Sequence, residues 1–154
     1  MDALIAAESP LGPDLALLMQ RHTVDMHAET PPESIHMMDA GQLAVPEVSF
    51  FVLREDGQPI AMGAFKRLAD GHGEIKSMHV LAEHRGRGHS RAMLVHLMDA
   101  AQAAGLARLS LETGAEPIFA PARGLYERAG FDYCGPFEGY ILDANSVFMT
   151  KVLA

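Results

Sequence analysis

Between Glu83 and Leu94 the chain reads EHRGRGHSRAML. Arg85, Arg87 and Arg91 place three of the 12 lysines and arginines within this stretch, with Gly86 and Gly88 between them. The glycines clear side chains from the backbone, and the guanidinium groups bring charge to it. The residues that follow, Met93, Leu94, Leu97, Met98 and Ala101, repeat at spacings of three and four, as one face of a helix does. The first four amides of a helix lack intrahelical partners, and the helix dipole adds positive potential there. A glycine-rich turn into such a helix is a cradle for a compact anion such as a phosphate group. The same residues also suit an ordinary solvated turn, so the elements around them must decide.

The chain as a whole narrows the ligand. Its 154 residues are 49% hydrophobic and 21% charged, and its formal net charge is -8. That profile fits one folded domain, expected over residues 1–154, with a full core. The negative balance disfavours a nucleic-acid backbone or an anionic membrane as partner. No apolar stretch approaches the roughly 20 residues that span a bilayer, and the N-terminus lacks the basic start of a signal peptide. The single cysteine, Cys134, excludes an internal disulfide framework and a cysteine-rich zinc site. A cytoplasmic protein with a small anionic ligand is the expectation.

Periodicity and turn signals supply the elements. ALIAA (residues 3–7) reads as a strand. From Asp14, a possible N-cap, Leu15, Leu18, Met19, His22 and Met26 recur at helical spacing. TPPESIHMMDAG ends that helix and predicts a second, short one beginning near Pro32 or Glu33 and stopping at Gly41. EVSFFVLRED and QPIAMGAFKRLAD flank an Asp-Gly hairpin signal. GHGEIKSMHVL adds a third strand to the meander, in which Ile75, Ser77 and His79 alternate with Lys76, Met78 and Val80. A long helix over 87–104, a strand at ARLSLET, a helix at IFAPARGLYERAG and strands at FDYCG and SVFMTKVL complete the order βααβββαβαββ. This is an α/β fold with a mixed, mostly antiparallel central sheet flanked by helices.

Arg85-Gly86-Arg87-Gly88-His89-Ser90 resembles the R/Q-x-x-G-x-G/A signature of the GNAT superfamily of N-acetyltransferases. LYERAGF, Leu125 to Phe131, is similar to the family's L-Y-x-x-x-G-F segment, and the element order resembles the GNAT acyl-CoA N-acyltransferase fold across nearly the whole chain. PPESIHMMD, GEIKSM, SLETG and NSVFMT are further similar to a small bacterial YsnE-like branch. Ser90 departs from the signature's usual Gly or Ala, and His89 stands where many relatives carry an aliphatic residue.

The resemblance implies an N-acetyltransferase that moves the acetyl group of acetyl-CoA to a primary amine of a small molecule or peptide. Both substrates would be bound together, and no metal would be needed. It implies that Arg85, Gly86, Arg87, Gly88, His89 and Ser90 bind the pyrophosphate. The fourth strand would be splayed, with Met78, His79 and Val80 along the pantetheine arm and with Glu74, Lys76 and Ser77 near the reacting centre. Tyr126 matches a tyrosine that protonates the departing thiolate in many members. The attacking amine must be neutral, so a carboxylate has to take its proton, and Glu74 and Glu112 are the candidates. The segment between the first two helices commonly walls the acceptor in this family. Here it offers Glu33 and His36, with Glu29, Ser34 and Asp39 beside them. Arg123 suits either an acceptor carboxylate or the cofactor's phosphates. Homodimers are common in the family.

Other residues read more plainly. The histidines show no metal-ligand spacing and are expected to be solvated or hydrogen-bonded. Cys134 has no Cys-His-Asn partners and is expected to be inert core. The rival from another class is a non-catalytic acyl-CoA-binding or sensor module; a nucleic-acid-binding module runs against the charge.

Overall fold

The computed structural model describes residues 3–35, 37–69 and 71–153. Seven strands form one sheet: β1 Ala3–Ala7, β2 Val48–Glu55, β3 Gln58–Arg67, β4 His72–Val80, β5 Arg108–Gly114, β6 Asp132–Cys134 and β7 Ser146–Val152. Their order is β1-β2-β3-β4-β5-β7-β6. Every neighbouring pair is antiparallel except β4 with β5. The mixed, mostly antiparallel α/β architecture expected from the sequence is therefore present.

The β2–β3 hairpin turns on Asp56 and Gly57, with φ of 51° and 83°, the positive values that a two-residue primed turn requires. Phe50-Phe51-Val52-Leu53 is buried on both faces of the sheet. Phe50 and Val52 join Leu15, Leu18 and Leu43 on one side, while Phe51 and Leu53 join Met93, Leu94 and Leu97 on the other. The helices are α1 Ala16–Glu29, α2 Ala40–Leu43, α3 His89–Ala103 and α4 Ala120–Arg128. The α3 stripe is fully withdrawn from water, with Met93, Leu94, Leu97 and Ala101 each at most 1% exposed. Burying a large side chain of this kind stabilises by about 1.5–3 kcal/mol, so α3 is held rigidly behind the loop that precedes it.

Three local expectations are corrected. Asp14 does not cap α1: it lies in a 3-10 turn, Pro13–Leu15, and its carboxylate accepts from Arg54 at 2.7 Å. The short second helix divides into a 3-10 turn, Pro32–Ser34, and α2. Gly41 lies inside α2 because Asp39 and Gln42 form a capping box that starts the helix there. In β4 the simple alternation fails at a bulge. Ala64 pairs with Lys76 and Met62 with His79, so Ser77 and Met78 together oppose Gly63, and Ser77 takes a φ of 57°. The bulge changes the parity of the strand. Val80, rather than His79, joins Ile75 in the α3-side core.

Candidate active site

The β4–β5 ladder covers only His72–Glu74 against Arg108–Ser110. Beyond it the strands part, and the β5-facing edge of β4 opens into a cleft. A cavity of about 600 Å³ fills the cleft and runs from Met78, His79 and Val80 to Arg85, Gly86, Gly88, Ser90 and the start of α3. A smaller recess of about 130 Å³ continues on the other side, lined by Glu74, Lys76, Ser77 and Glu112. Tyr126 lines both spaces, as do His22, Met26, Met78, Phe119 and Ala122.

The larger end is built to hold an anion. Gly86 and Gly88 have φ of 78° and 83°, and Gly88 is the N-cap of α3 with no side chain capping the helix. The first amides of α3 therefore face the cavity without a side-chain acceptor. A Cβ at either glycine would meet nothing within 4 Å, so the glycines keep open a space that the protein itself does not fill. Arg91 and Arg128 line that space from their helices. Arg85 lines it too, clipped in place by bonds from Nε to the Val80 carbonyl and from Nη2 to Asp25, both 2.9 Å.

Arg87 is turned the other way. Its guanidinium donates to both Glu55 oxygens, at 2.7 and 3.3 Å, and its side chain does not line the cavity. The His89 ring is buried, with Nε2 3.9 Å from Glu55 Oε2. Glu55 thus holds Arg87 behind the loop, with the His89 ring close by but its Nε2 not hydrogen-bonded.

The smaller end is assembled from three strands and a loop. Glu74 of β4 is 4% exposed. It accepts from the Tyr140 hydroxyl at 2.6 Å and from Lys76 Nζ at 3.1 Å, and Lys76 also donates to Tyr140 at 2.8 Å. The Tyr140 ring packs on Phe137 and Phe148, which hold it against the sheet. Burial and the Glu74 hydrogen bond push the Tyr140 phenol well above its ordinary range. Glu112 of β5 accepts from the Ser146 hydroxyl at 2.6 Å. Ser77 Oγ is buried and finds no hydrogen-bond partner.

Tyr126 is 6% exposed, and burial raises its phenol far above the usual value. It is therefore neutral at physiological pH. His22 and His79, an edge-to-face pair with centroids 5.3 Å apart, wall the same junction. Burial lowers both to about 4, with the neighbouring His79 adding to the shift of His22 and the Arg85 charge to that of His79. Both rings are neutral near pH 7.

The sequence-derived candidates now separate. Tyr126, Glu74, Glu112, Lys76 and Ser77 converge on the recess, and Met78, His79, Val80, Arg85, Gly86, Gly88, His89 and Ser90 on the cleft. Arg123 meets neither space: it donates to the carbonyls of Gly114 and Glu116 at 2.8 and 3.0 Å and ties down the end of β5. Glu33 is exposed and lines neither cavity. His36 lies outside the described residues. The histidines are not all solvated or hydrogen-bonded, since Nε2 of His79 and of His89 is buried without a partner. Cys134 is not core: β6 is a three-residue edge strand, exposed throughout. Tyr140, His22, Met26 and Phe119 are site residues that the motifs did not reveal. Among the described residues no group of three or more His, Cys, Asp or Glu is placed to hold a metal ion, and no helix is long and apolar enough to cross a membrane.

Comparison with known proteins fits this geometry. The sequence profile of the Acetyltransferase (GNAT) family matches residues 16–131. The chain belongs to that family. Among GNAT relatives, it is 44% identical to the uncharacterized N-acetyltransferase YsnE of Bacillus subtilis, covering 92% of this chain and 94% of that one. It is 38% identical to a protein named IAA acetyltransferase from Azospirillum brasilense, covering 97% of each. Among solved structures, the PaiA N-acetyltransferase of Thermoplasma acidophilum in complex with coenzyme A superposes with a TM-score of 0.78. The identity there is 14%, covering 99% of each chain.

Proposed function

We propose that this GNAT protein transfers the acetyl group of acetyl-CoA to a primary amine of a small molecule or peptide, by direct attack with both substrates bound together. The observation that carries the reading is the pair of spaces joined at Tyr126. An anion cradle lies at one end, and the buried Glu74 and half-buried Glu112 lie at the other. The cradle fits a pyrophosphate, because Gly86 and Gly88 leave its backbone bare and Arg85 and Arg91 line it.

Acetyl-CoA supplies a thioester, whose carbonyl carbon gains a bond to the amine nitrogen as its bond to sulfur breaks. The chain's own residues do the rest. The amides of residues 86–90, with Arg85 and Arg91, anchor the phosphates. The open edge of β4 at Met78–Val80 aligns the pantetheine arm. Glu74, or Glu112 beside it, takes one proton from the bound ammonium so that the neutral amine attacks, and Tyr140 and Lys76 hold the Glu74 carboxylate in place. Tyr126, kept neutral by burial, gives its proton to the departing thiolate, and the proton shed by the acylated nitrogen restores the phenol.

Tyr126→Phe tests the assignment. Thiol release in the presence of an amine should fall about a hundredfold, within the usual range for a lost general acid, while acetyl-CoA affinity stays the same. Unchanged turnover removes Tyr126 from the chemistry. Tight acetyl-CoA binding without thiol release for any amine points instead to a non-catalytic acyl-CoA-binding module.

A further inference from the structure

Asp25 puts a carboxylate on the wall of the very cavity that would receive phosphates. Its Oδ2 accepts from Arg85 Nη2 at 2.9 Å, while Arg85 Nε donates to the Val80 carbonyl at 2.9 Å. Together the two bonds fix the plane of the guanidinium. Among the described residues Arg85 Nη1 makes no hydrogen bond, which leaves its N–H groups for a ligand. The His79 ring, with Nδ1 4.0 Å from the same Asp25 oxygen, is neutral near pH 7 and does not share the charge.

Asp25 also belongs to α1, and so does Arg21, one turn earlier on the same face, which pairs with Glu83. The helix therefore grips the approach to the cradle at two successive turns. The residues next to this pair, His22 and Met26, line both the larger cavity and the recess. Resting on the acetyl-transfer reading above, we infer that Asp25 is a positioning residue for the donor: it aims Arg85 at the phosphates and, through that bond, ties the recess wall carried by α1 to the bound cofactor.

Two opposing effects set the sign of its contribution. A carboxylate near the phosphates repels them, but Arg85 at 2.9 Å offsets its charge, and at about 0.15 M salt the remainder is screened over about 8 Å. Against this, an arginine that must be immobilised during binding weakens affinity by about two- to tenfold. Both side chains are half exposed, 51% for Arg85 and 48% for Asp25, so the pair holds its geometry with the modest strength of a surface ion pair, worth up to about fivefold. Aim outweighs screened repulsion.

The test is a calorimetric titration with acetyl-CoA at about 0.15 M salt, on the wild type, Asp25→Ala and Asp25→Asn. Alanine favours a helix more than aspartate does, so α1 should survive, and the asparagine amide oxygen still accepts from Arg85 without the charge. Asp25→Ala should bind acetyl-CoA about two- to fivefold more weakly, with Asp25→Asn within about twofold of the wild type. Amide hydrogen exchange of the saturated proteins gives a readout that a general loss of stability would not. Acetyl-CoA should slow exchange over residues 85–94 in every variant, but over α1 only in the wild type and Asp25→Asn. Unchanged or tighter binding by Asp25→Ala would make Asp25 a plain counter-charge and overturn the inference. An α1 that acetyl-CoA leaves unprotected in the wild type would overturn it too. A wild type that does not bind acetyl-CoA would remove the transfer reading itself, and this inference with it.

Discussion

At one end of the cleft, a continuous run from Arg85 to Arg91 makes most of the anion cradle, with Arg128 of α4 beside it and with its shape set by left-handed glycines and by Glu55 behind it. At the other end, Glu74 and Lys76 of β4, Glu112 of β5 and Tyr140 from the β6–β7 connection meet across as many as 66 residues of sequence. The first end is backbone and local geometry, which any sequence with the same glycines and helix start can reproduce. The second is side-chain chemistry held by tertiary packing.

The contrast predicts that damage to the two ends has different signatures. Gly88→Val should have the largest effect. It puts a β-branched residue at a φ of 83° and a side chain in the space meant for the ligand. Acetyl-CoA affinity should fall by at least about a hundredfold, with a strain cost of about 1–3 kcal/mol that lowers Tm without unfolding the chain. Normal affinity in a titration would put the cofactor elsewhere.

The wall shared by both ends has its own pH signature. His22 and His79 titrate near 4 in the folded protein, below the ordinary 6.5 of an unfolded chain. Above pH 6.5 neither contributes to the pH slope. As pH falls from 6.5 towards 4 the unfolded state takes up protons first, so stability is lost, by up to about 3 kcal/mol per histidine. Urea midpoints at pH 7 and pH 4.5 should show this loss, and His22→Gln should reduce it. A flat profile would mean that the pair is hydrated.

Tyr140→Phe sharpens the comparison from the acceptor side. It removes the hydroxyl between Glu74 and Lys76, and should lower kcat/KM for the amine roughly tenfold while leaving acetyl-CoA affinity unchanged. Weakened acetyl-CoA binding would show that the two ends are not separable. The smallest contrast lies within the cradle. Arg91→Ala should weaken acetyl-CoA binding several-fold and reduce its salt dependence, whereas Arg87→Ala should change affinity by less than about twofold. Equal losses would mean that Arg87 leaves Glu55 when the ligand arrives.

The same division explains what could be read from the residues alone. Element order, the Asp56-Gly57 hairpin and the Gly88 start of α3 follow from signals within a few positions of one another. The bulge at Ser77 did not, because it depends on Gly63 in the neighbouring strand. A Cβ there would meet Met93 at 2.8 Å and Met78 at 3.1 Å. Tyr140 was hidden for a similar reason: nothing near it in sequence says that its loop folds back onto β4. Charge alone does not tell whether a guanidinium meets a ligand, a carbonyl or a carboxylate, and Arg123 and Arg87 are turned onto carbonyls and a carboxylate respectively. His22 sat in plain view on the apolar stripe of α1, but its pairing with His79 requires the two elements to be packed.

The most direct test of the account is a calorimetric titration of the purified protein with acetyl-CoA, beside the Gly88→Val variant. Saturable one-to-one binding at micromolar strength, lost in the variant, is the predicted result. No heat at either of two temperatures, together with no thermal-shift stabilisation, would contradict the claim that this cleft is an acetyl-CoA site.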